Sequence, residues 1–84
     1  MKVIKVRLNK IKVDVEKYQP DSEGYIHLPV ADDCSVSYLF ELFGIPGNDM
    51  AGKVVLINSK VNKELETNFN NGDLVEIFKL YAGG

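Results

Sequence analysis

The stretch NNGDLVEIF, residues 70–78, joins a turn signal directly to an apolar strand. The Asn-Gly-Asp sequence at 71–73 favours a tight turn, and residues 74–78 have the composition of a strand. The sequence then reads KLYAGG, residues 79–84, and its last two glycines gain no packing from side chains and lose much backbone entropy on ordering. The stretch therefore predicts a final strand followed by an extended C-terminal tail.

The N-terminal residues show the alternation of a half-buried strand. Every second residue from Ile4 to Leu8 is apolar, and the alternation resumes with the apolar phase shifted by one position. That shift predicts a two-residue hairpin turn, in which Leu8 faces Ile11 and Val6 faces Val13. A single long, bent strand through residue 16 is the alternative.

Two further segments have the character of strands. A polar, turn-rich loop at 17–24 precedes a strand at 26–30, where Pro29 lacks an amide donor and so belongs at a sheet edge or at the strand end. The apolar run in KVVLIN, residues 53–58, predicts a strand that is buried on both faces and lies centrally in the sheet.

One segment, residues 32–46, carries a helical pattern. Ser35 can cap the start of the helix and Gly44 can end it. No repeat or linker interrupts the chain, so we expect one domain over residues 1–84, with one helix packed across one face of a small mixed sheet, an α+β fold. The apolar stripe of the helix follows the i, i+3, i+4, i+7 spacing: Val36, Leu39, Phe40 and Phe43.

The composition excludes several classes of protein. Of 84 residues, 45% are hydrophobic and 26% are charged, as in an ordinary globular domain. The formal net charge of −2 and the scattered Lys and Arg residues argue against nucleic-acid binding. Neither a signal-peptide core nor an apolar run of the roughly 18 residues that a membrane span needs is present, so we expect a cytoplasmic protein without a membrane partner.

The residues most often used in catalysis and metal binding are sparse. Cys34 is the single cysteine, which excludes an internal disulfide and a cysteine-held iron–sulfur cluster, and we interpret it as a small buried residue rather than a reactive thiolate. His27 is the single histidine and has no evident acid partner, so we interpret it as a surface residue of its strand. We therefore expect no catalytic residues, no metal site and no bound cofactor, and predict that the protein is not itself an enzyme.

Several segments together resemble a known family, the small sulfur-carrier proteins of ubiquitin-like β-grasp fold. This family includes the small subunit of molybdopterin synthase and the sulfur carrier of thiamine biosynthesis. The resemblance covers most of the chain, and its most specific part is the last strand together with the final Gly-Gly. The similar segments are VIKVRL (3–8), CSVSYLFELFGI (34–45), VVLIN (54–58), NNGDLVEIF (70–78) and the glycines at 83–84.

The chain also departs from the family pattern. Lys79-Leu80-Tyr81 stands where the molybdopterin branch often has two prolines, and Ser59 replaces a hairpin glycine. The loop at 17–24 and the apolar alternation before it together look longer than the usual N-terminal hairpin of the family. The sequence EIF…AGG favours the molybdopterin branch, while a thiamine-pathway carrier and a stand-alone or tungsten-related variant remain open.

The resemblance implies a particular chemistry at the C-terminus. A partner enzyme resembling the E1 activating enzymes would use ATP to adenylate the carboxylate of Gly84. A persulfide on a sulfur-donor protein, such as a cysteine desulfurase or a rhodanese-like protein, would then displace AMP and leave a thiocarboxylate. A sulfur-accepting synthase subunit would take the sulfur for its substrate.

The resemblance also implies roles for the residues around Gly84. Gly83 and Ala82 would thread the tail into the narrow active site of the partner, because small residues leave the backbone room. The partner must also hold the folded domain, and we expect Tyr81, Leu80 and Phe78 to contribute to that interface.

Two other classes of function remain open. A ubiquitin-like protein modifier would use the same activated Gly84 to form isopeptide bonds with lysine side chains. A β-grasp interaction module would leave the tail inert, and deletion of Gly83 and Gly84 would then leave its binding unchanged.

Overall fold

The computed structural model describes residues 1–11, 16–45 and 52–79. These residues form five strands and one helix. The strands are β1 (Lys2–Asn9), β2 (Ile26–Val30), β3 (Lys53–Ile57), β4 (Lys60–Asn62) and β5 (Leu74–Lys79), and the helix is α1 (Val36–Leu42).

The five strands form one mixed sheet in the order β2-β1-β5-β3-β4. The first and last strands, β1 and β5, are parallel neighbours in the interior of the sheet, and the other three pairings are antiparallel. With one short helix packed on one face, the arrangement is an α+β fold and is consistent with a β-grasp-like architecture. The predicted final strand is confirmed, and the turn before it includes Gly72 at a φ of +87°.

The core lies between α1 and one face of the sheet. Burial alternates along β1 and β5, so that every second side chain enters the core while its neighbours point to the opposite face. From the helix, Val36, Leu39 and Phe40 are buried as predicted, while Phe43 is half-buried at the margin. The core residues with no exposed surface are Ile4, Val6, Val36, Leu39, Val55, Val75 and Ile77.

The predicted helix boundaries are confirmed by their hydrogen bonds. The Ser35 side chain accepts a bond from the Tyr38 amide at 3.4 Å, which satisfies one of the free donors of the first turn. At the other end, Gly44 has a φ of +66° and the Ile45 amide donates to the Phe40 carbonyl at 2.8 Å. This left-handed glycine ends the helix by closing the chain back over its last turn.

The predicted pairing of Val6 with Val13 is wrong. Val6 pairs with Ile26 of β2 on one side and with Val75 of β5 on the other, so no edge of β1 is free at this position. The alternation of residues 4–8 was interpreted correctly as a strand, but it carries no information about which strand lies beside it. Val13 itself lies outside the described residues.

The position of Pro29 at a sheet edge is confirmed. Its cross-strand partner Val3 directs its own amide and carbonyl towards Asn71 and Gly72, away from β2. The Val3–Pro29 pair is therefore not hydrogen-bonded, and the nitrogen of Pro29 faces the free edge of the sheet. A missing amide costs nothing there and leaves the edge a poorer template for another strand.

The expectation for the KVVLIN segment is correct only in part. Strand β3 does lie inside the sheet, between β5 and β4, but only Val55 is buried and the other four residues are half-buried. The three-residue strand β4 was not predicted. It is joined to β3 by Asn58 and Ser59, which have φ values of +52° and +68°, as a two-residue hairpin of the primed type requires.

Candidate functional site

The residues expected to carry the chemistry lie at the end of the chain. Gly84, Gly83, Ala82, Tyr81 and Leu80 fall outside the described residues, so their roles remain predictions. Phe78 lies on β5, half-buried, between Asn9 of β1 and Val54 of β3. The strand that leads to the tail is therefore an interior strand with neighbours on both sides.

The face of the sheet opposite α1, here called the outer face, combines apolar and charged side chains. One row runs straight across the strands through Val61, Leu56, Glu76 and Arg7. Val61 is 61% exposed, and Leu74, on the same face of β5, is 39% exposed. Exposed apolar side chains that share one face of a sheet can contribute to a surface that contacts another protein.

An ion pair forms one end of this row. The guanidinium of Arg7 donates from Nη2 to Oε2 of Glu76 and also lies 4.9 Å from the centre of the Tyr25 ring. The hydrogen bond to Glu76 raises the pKa of Arg7 despite an opposing effect of desolvation. Arg7 Nε and Asn9 Nδ2 are buried without a hydrogen-bond partner, which leaves two donors unsatisfied on this face.

A second polar cluster lies in the loop before β2. Asp21 accepts bonds from the amides of Glu23 at 2.9 Å and Tyr25 at 3.0 Å, and its Oδ2 lies 2.9 Å from Nε2 of His27. The bond to His27, followed by the bond from Tyr25, lowers the pKa of Asp21 from 3.8 to about 2. His27 is exposed as predicted, but the expectation that it has no acid partner is wrong. Asp21 lies six positions earlier, and only the folded loop brings the two together.

A third cluster ties the turn before β5 to the β3–β4 hairpin. Asp73 is 7% exposed; its Oδ1 accepts from Nδ2 of Asn58 at 3.0 Å and its Oδ2 from the amide of Asn70 at 2.8 Å. Asn58 also accepts from the amide of Leu74 at 2.9 Å. The carboxylate therefore fixes two turns relative to one another and sets the register in which β5 begins.

The interpretation of Cys34 as a buried residue is supported. Its side chain is 4% exposed, and burial, together with the charge of Asp33, raises the pKa of the thiol. A raised pKa reduces the thiolate fraction and makes the thiol less nucleophilic. A shallow cavity of about 340 Å³ lies beside it, lined by Ala31, Asp33, Cys34, Ser35 and Tyr38.

Sequence reasoning did not single out Arg7, Glu76, Asp21 or Asp73. Asp21 follows a proline in a turn-rich stretch, which was a signal for a side chain that caps the loop. The Arg7–Glu76 pair had no such signal, since opposite charges on two strands become informative only once the register is known. Residues 1–11, 16–45 and 52–79 contain no group of three His, Cys, Asp or Glu side chains that could hold a metal ion. Over the same ranges, no helix is sufficiently long and apolar to cross a membrane.

Comparison with known proteins adds no assignment. No protein-family model matches the chain, and no curated protein is significantly similar to it. The function must therefore be argued from the residues themselves.

Proposed function

We propose that this protein is a sulfur carrier of the ubiquitin-like β-grasp type, which serves the synthesis of a molybdopterin-type cofactor. In this proposal Gly84 bears the carboxylate that is adenylated and then converted to a thiocarboxylate. The carrier performs no catalysis; an activating enzyme supplies the ATP chemistry, and a synthase subunit accepts the sulfur.

The observation that carries the proposal is the combination of the NNGDLVEIF strand with a glycine pair a few residues later. Strand β5 is an interior strand, parallel to β1 and hydrogen-bonded on both sides. Lys79 still pairs with Lys53 in this strand, which gives residues 80–84 a rigid base. At up to about 3.3 Å per residue, the five residues after this strand would reach about 17 Å if extended, enough for a terminal carboxylate to enter the active site of another protein.

The outer face supplies a second line of support. Ordering a tail costs about 1–2 kcal/mol of backbone entropy per residue, so the partner must gain binding energy from the folded domain as well. Apolar surface on the same side of β3, β4 and β5 comes from Leu56, Val61, Leu74 and Phe78. The proposed binding surface for the partner is this apolar part of the outer face.

Intact mass spectrometry tests the proposal directly. The protein is incubated with an E1-like activating enzyme from the same organism, ATP and a sulfur donor, and the products are fragmented from the C-terminus. We expect one oxygen to be replaced by sulfur at Gly84. A variant that lacks Gly83 and Gly84 is the matched control and should remain unmodified.

The other outcomes distinguish the alternatives. If activated Gly84 is recovered in isopeptide bonds to lysine, the protein is a modifier. If neither adenylate nor thiocarboxylate forms with any candidate activating enzyme, the carrier proposal fails and the interaction module with an inert tail is favoured. Sulfur transfer to the thiamine rather than the molybdopterin pathway would revise only the final acceptor.

Variants of the outer face test the proposed binding surface separately. Val61→Glu and Leu74→Glu place a charge where the partner would pack and should weaken binding of the activating enzyme without unfolding the domain. Tyr38→Glu is the matched control, because Tyr38 is also about half exposed, at 49%, but lies on α1. If all three variants bind equally well, the partner contacts a different surface.

A further inference from the structure

The turn before β5 contains a pair of residues with chemistry of its own. Asn71-Gly72 is the single Asn-Gly pair in the sequence. Both residues are exposed, and Gly72 has no side chain that could hinder attack by its amide nitrogen on the side chain of Asn71. We propose that Asn71 is a deamidation site and that two hydrogen bonds from Val3 suppress its reaction in the folded protein.

The reaction needs only water. The amide nitrogen of Gly72 loses its proton and attacks Cγ of Asn71; the bond from Cγ to the side-chain nitrogen breaks and ammonia leaves. The product is a five-membered succinimide. Water then opens the ring at either carbonyl, giving aspartate or the β-linked isoaspartate at position 71. No electron is transferred, and the net change is amide plus water to carboxylate plus ammonium.

Both reacting groups are engaged by a single residue of β1. The amide of Val3 donates to Oδ1 of Asn71 at 2.8 Å, and the amide of Gly72 donates to the carbonyl of Val3 at 2.8 Å. The first bond restrains rotation of the carboxamide. The second bond holds the amide hydrogen of Gly72, which must be lost before the attack, on the carbonyl of Val3. The folded turn therefore restrains the electrophile and the nucleophile together.

Opening of the N-terminal end of β1 would release both restraints at once. Val3 is the second residue of β1, and the ends of strands open more readily than their middles. Beyond Val3, the end is held by an exposed ion pair between the Met1 ammonium and Asp32 at 3.4 Å. It is also held by Lys2, whose Nζ donates to the carbonyls of Asp32 and Phe69, each at 2.9 Å. We infer that the rate of deamidation follows the frequency with which these contacts break.

The modification would reach the Asp73 cluster. An isoaspartate adds a carbon to the backbone inside the turn that is closed by the bond from the Asp73 amide to the Asn70 carbonyl at 3.1 Å. The buried carboxylate of Asp73 would lose its fit to Asn58 and Asn70. Deamidation would thereby loosen the start of β5 as the protein ages.

Peptide mapping by mass spectrometry, with separation of aspartate from isoaspartate, measures the reaction at each asparagine. In denaturant we expect Asn71 to convert faster than any other asparagine. In the folded protein the same conversion should be at least about tenfold slower, because only the small open population reacts. Equal rates in the two states would overturn the protective role of Val3, and no conversion in denaturant would overturn the site itself.

A variant tests the opening step. Lys2→Ala removes the two bonds from Nζ without touching Val3, Asn71 or Gly72, and should raise the folded-state rate several-fold. Lys63→Ala, an exposed change away from this turn, is the matched control. As a second measure in the unmodified protein, hydrogen exchange of the Gly72 amide should rise with temperature in parallel with deamidation. If Gly72 exchange rises in Lys2→Ala while the deamidation rate does not, strand opening is not the controlling step.

Discussion

The two faces of the sheet use the same strands for different purposes. On the face that carries α1, Ile4, Val55 and Ile77 are fully buried. On the outer face, the neighbouring side chains of β1 and β5 include an ion pair, and Val61 of the edge strand β4 is 61% exposed. A chain of 84 residues has one core and little excess stability, so the helix face must supply the free energy of folding. The outer face is then available for recognition.

Truncation in the helix face should give the largest loss of stability. Ile77→Ala removes a fully buried side chain from β5 and should lower the free energy of unfolding by about 2–5 kcal/mol. Leu74→Ala, an exposed position in the same strand, should cost less than about 0.5 kcal/mol. Chemical denaturation of both variants measures the difference. Similar losses would mean that the outer face also packs as a core.

Substitution of a buried polar residue can lower the free energy of unfolding almost as much as truncation of a core residue. Asp73→Ala leaves the Asn58 side chain and the Asn70 amide without their acceptor, and should lower the free energy of unfolding by about 1–3 kcal/mol. Asp73→Asn keeps the volume but replaces one acceptor by a donor, so it should restore only part of the loss. Full recovery in Asp73→Asn would show that the packing of the side chain, and not its hydrogen bonds, holds the two turns.

How much the sequence reveals depends on whether a signal is local. The helix was predictable because Ser35 and Gly44 act within one turn of the chain, and the turn at 71–73 has the same character. The residues that pair with Val6 could not be predicted in this way. The apolar alternation of residues 4–8 fits any neighbouring strand, and β5 is distant in sequence. For the candidate site, the resemblance indicated the tail at 79–84 but had no means of identifying Arg7, whose contacts depend on register.

The hairpin between β3 and β4 offers a gain in stability. Ser59 has a φ of +68°, a conformation that costs a residue with a side chain free energy and costs glycine much less. Ser59→Gly should raise the free energy of unfolding by about 1 kcal/mol, since relief of strain exceeds the added entropy of the unfolded chain. Ser59→Ala, which keeps Cβ, should show no gain. A loss in Ser59→Gly would mean that the serine side chain contributes more than its backbone conformation costs.

The loop before β2 adds a dependence on pH. In the folded protein the pKa of Asp21 is lowered to about 2 from its ordinary value of 3.8. As the pH falls, the carboxylate of Asp21 is therefore protonated in the unfolded chain before it is protonated in the folded protein. The stability that Asp21 supplies is therefore complete above about pH 5 and is lost progressively towards pH 2. Asp21→Asn should be less stable than the parent at pH 6 and should show a flatter loss in acid. Parallel pH profiles for the two proteins would contradict the assignment.

The smallest expected change in stability falls on the outer face, where the proposed change in binding is largest. Val61 is 61% exposed on the short edge strand β4, so Val61→Glu should alter the free energy of unfolding by less than about 0.5 kcal/mol. Binding of the activating enzyme, measured by calorimetry on the same sample, should nevertheless weaken, because a charge would be buried in an apolar contact. A variant that lost stability and kept its binding would reverse the roles assigned to the two faces. The free energy of unfolding tests the role of the helix face and the binding affinity tests the role of the outer face, so the two measurements are independent.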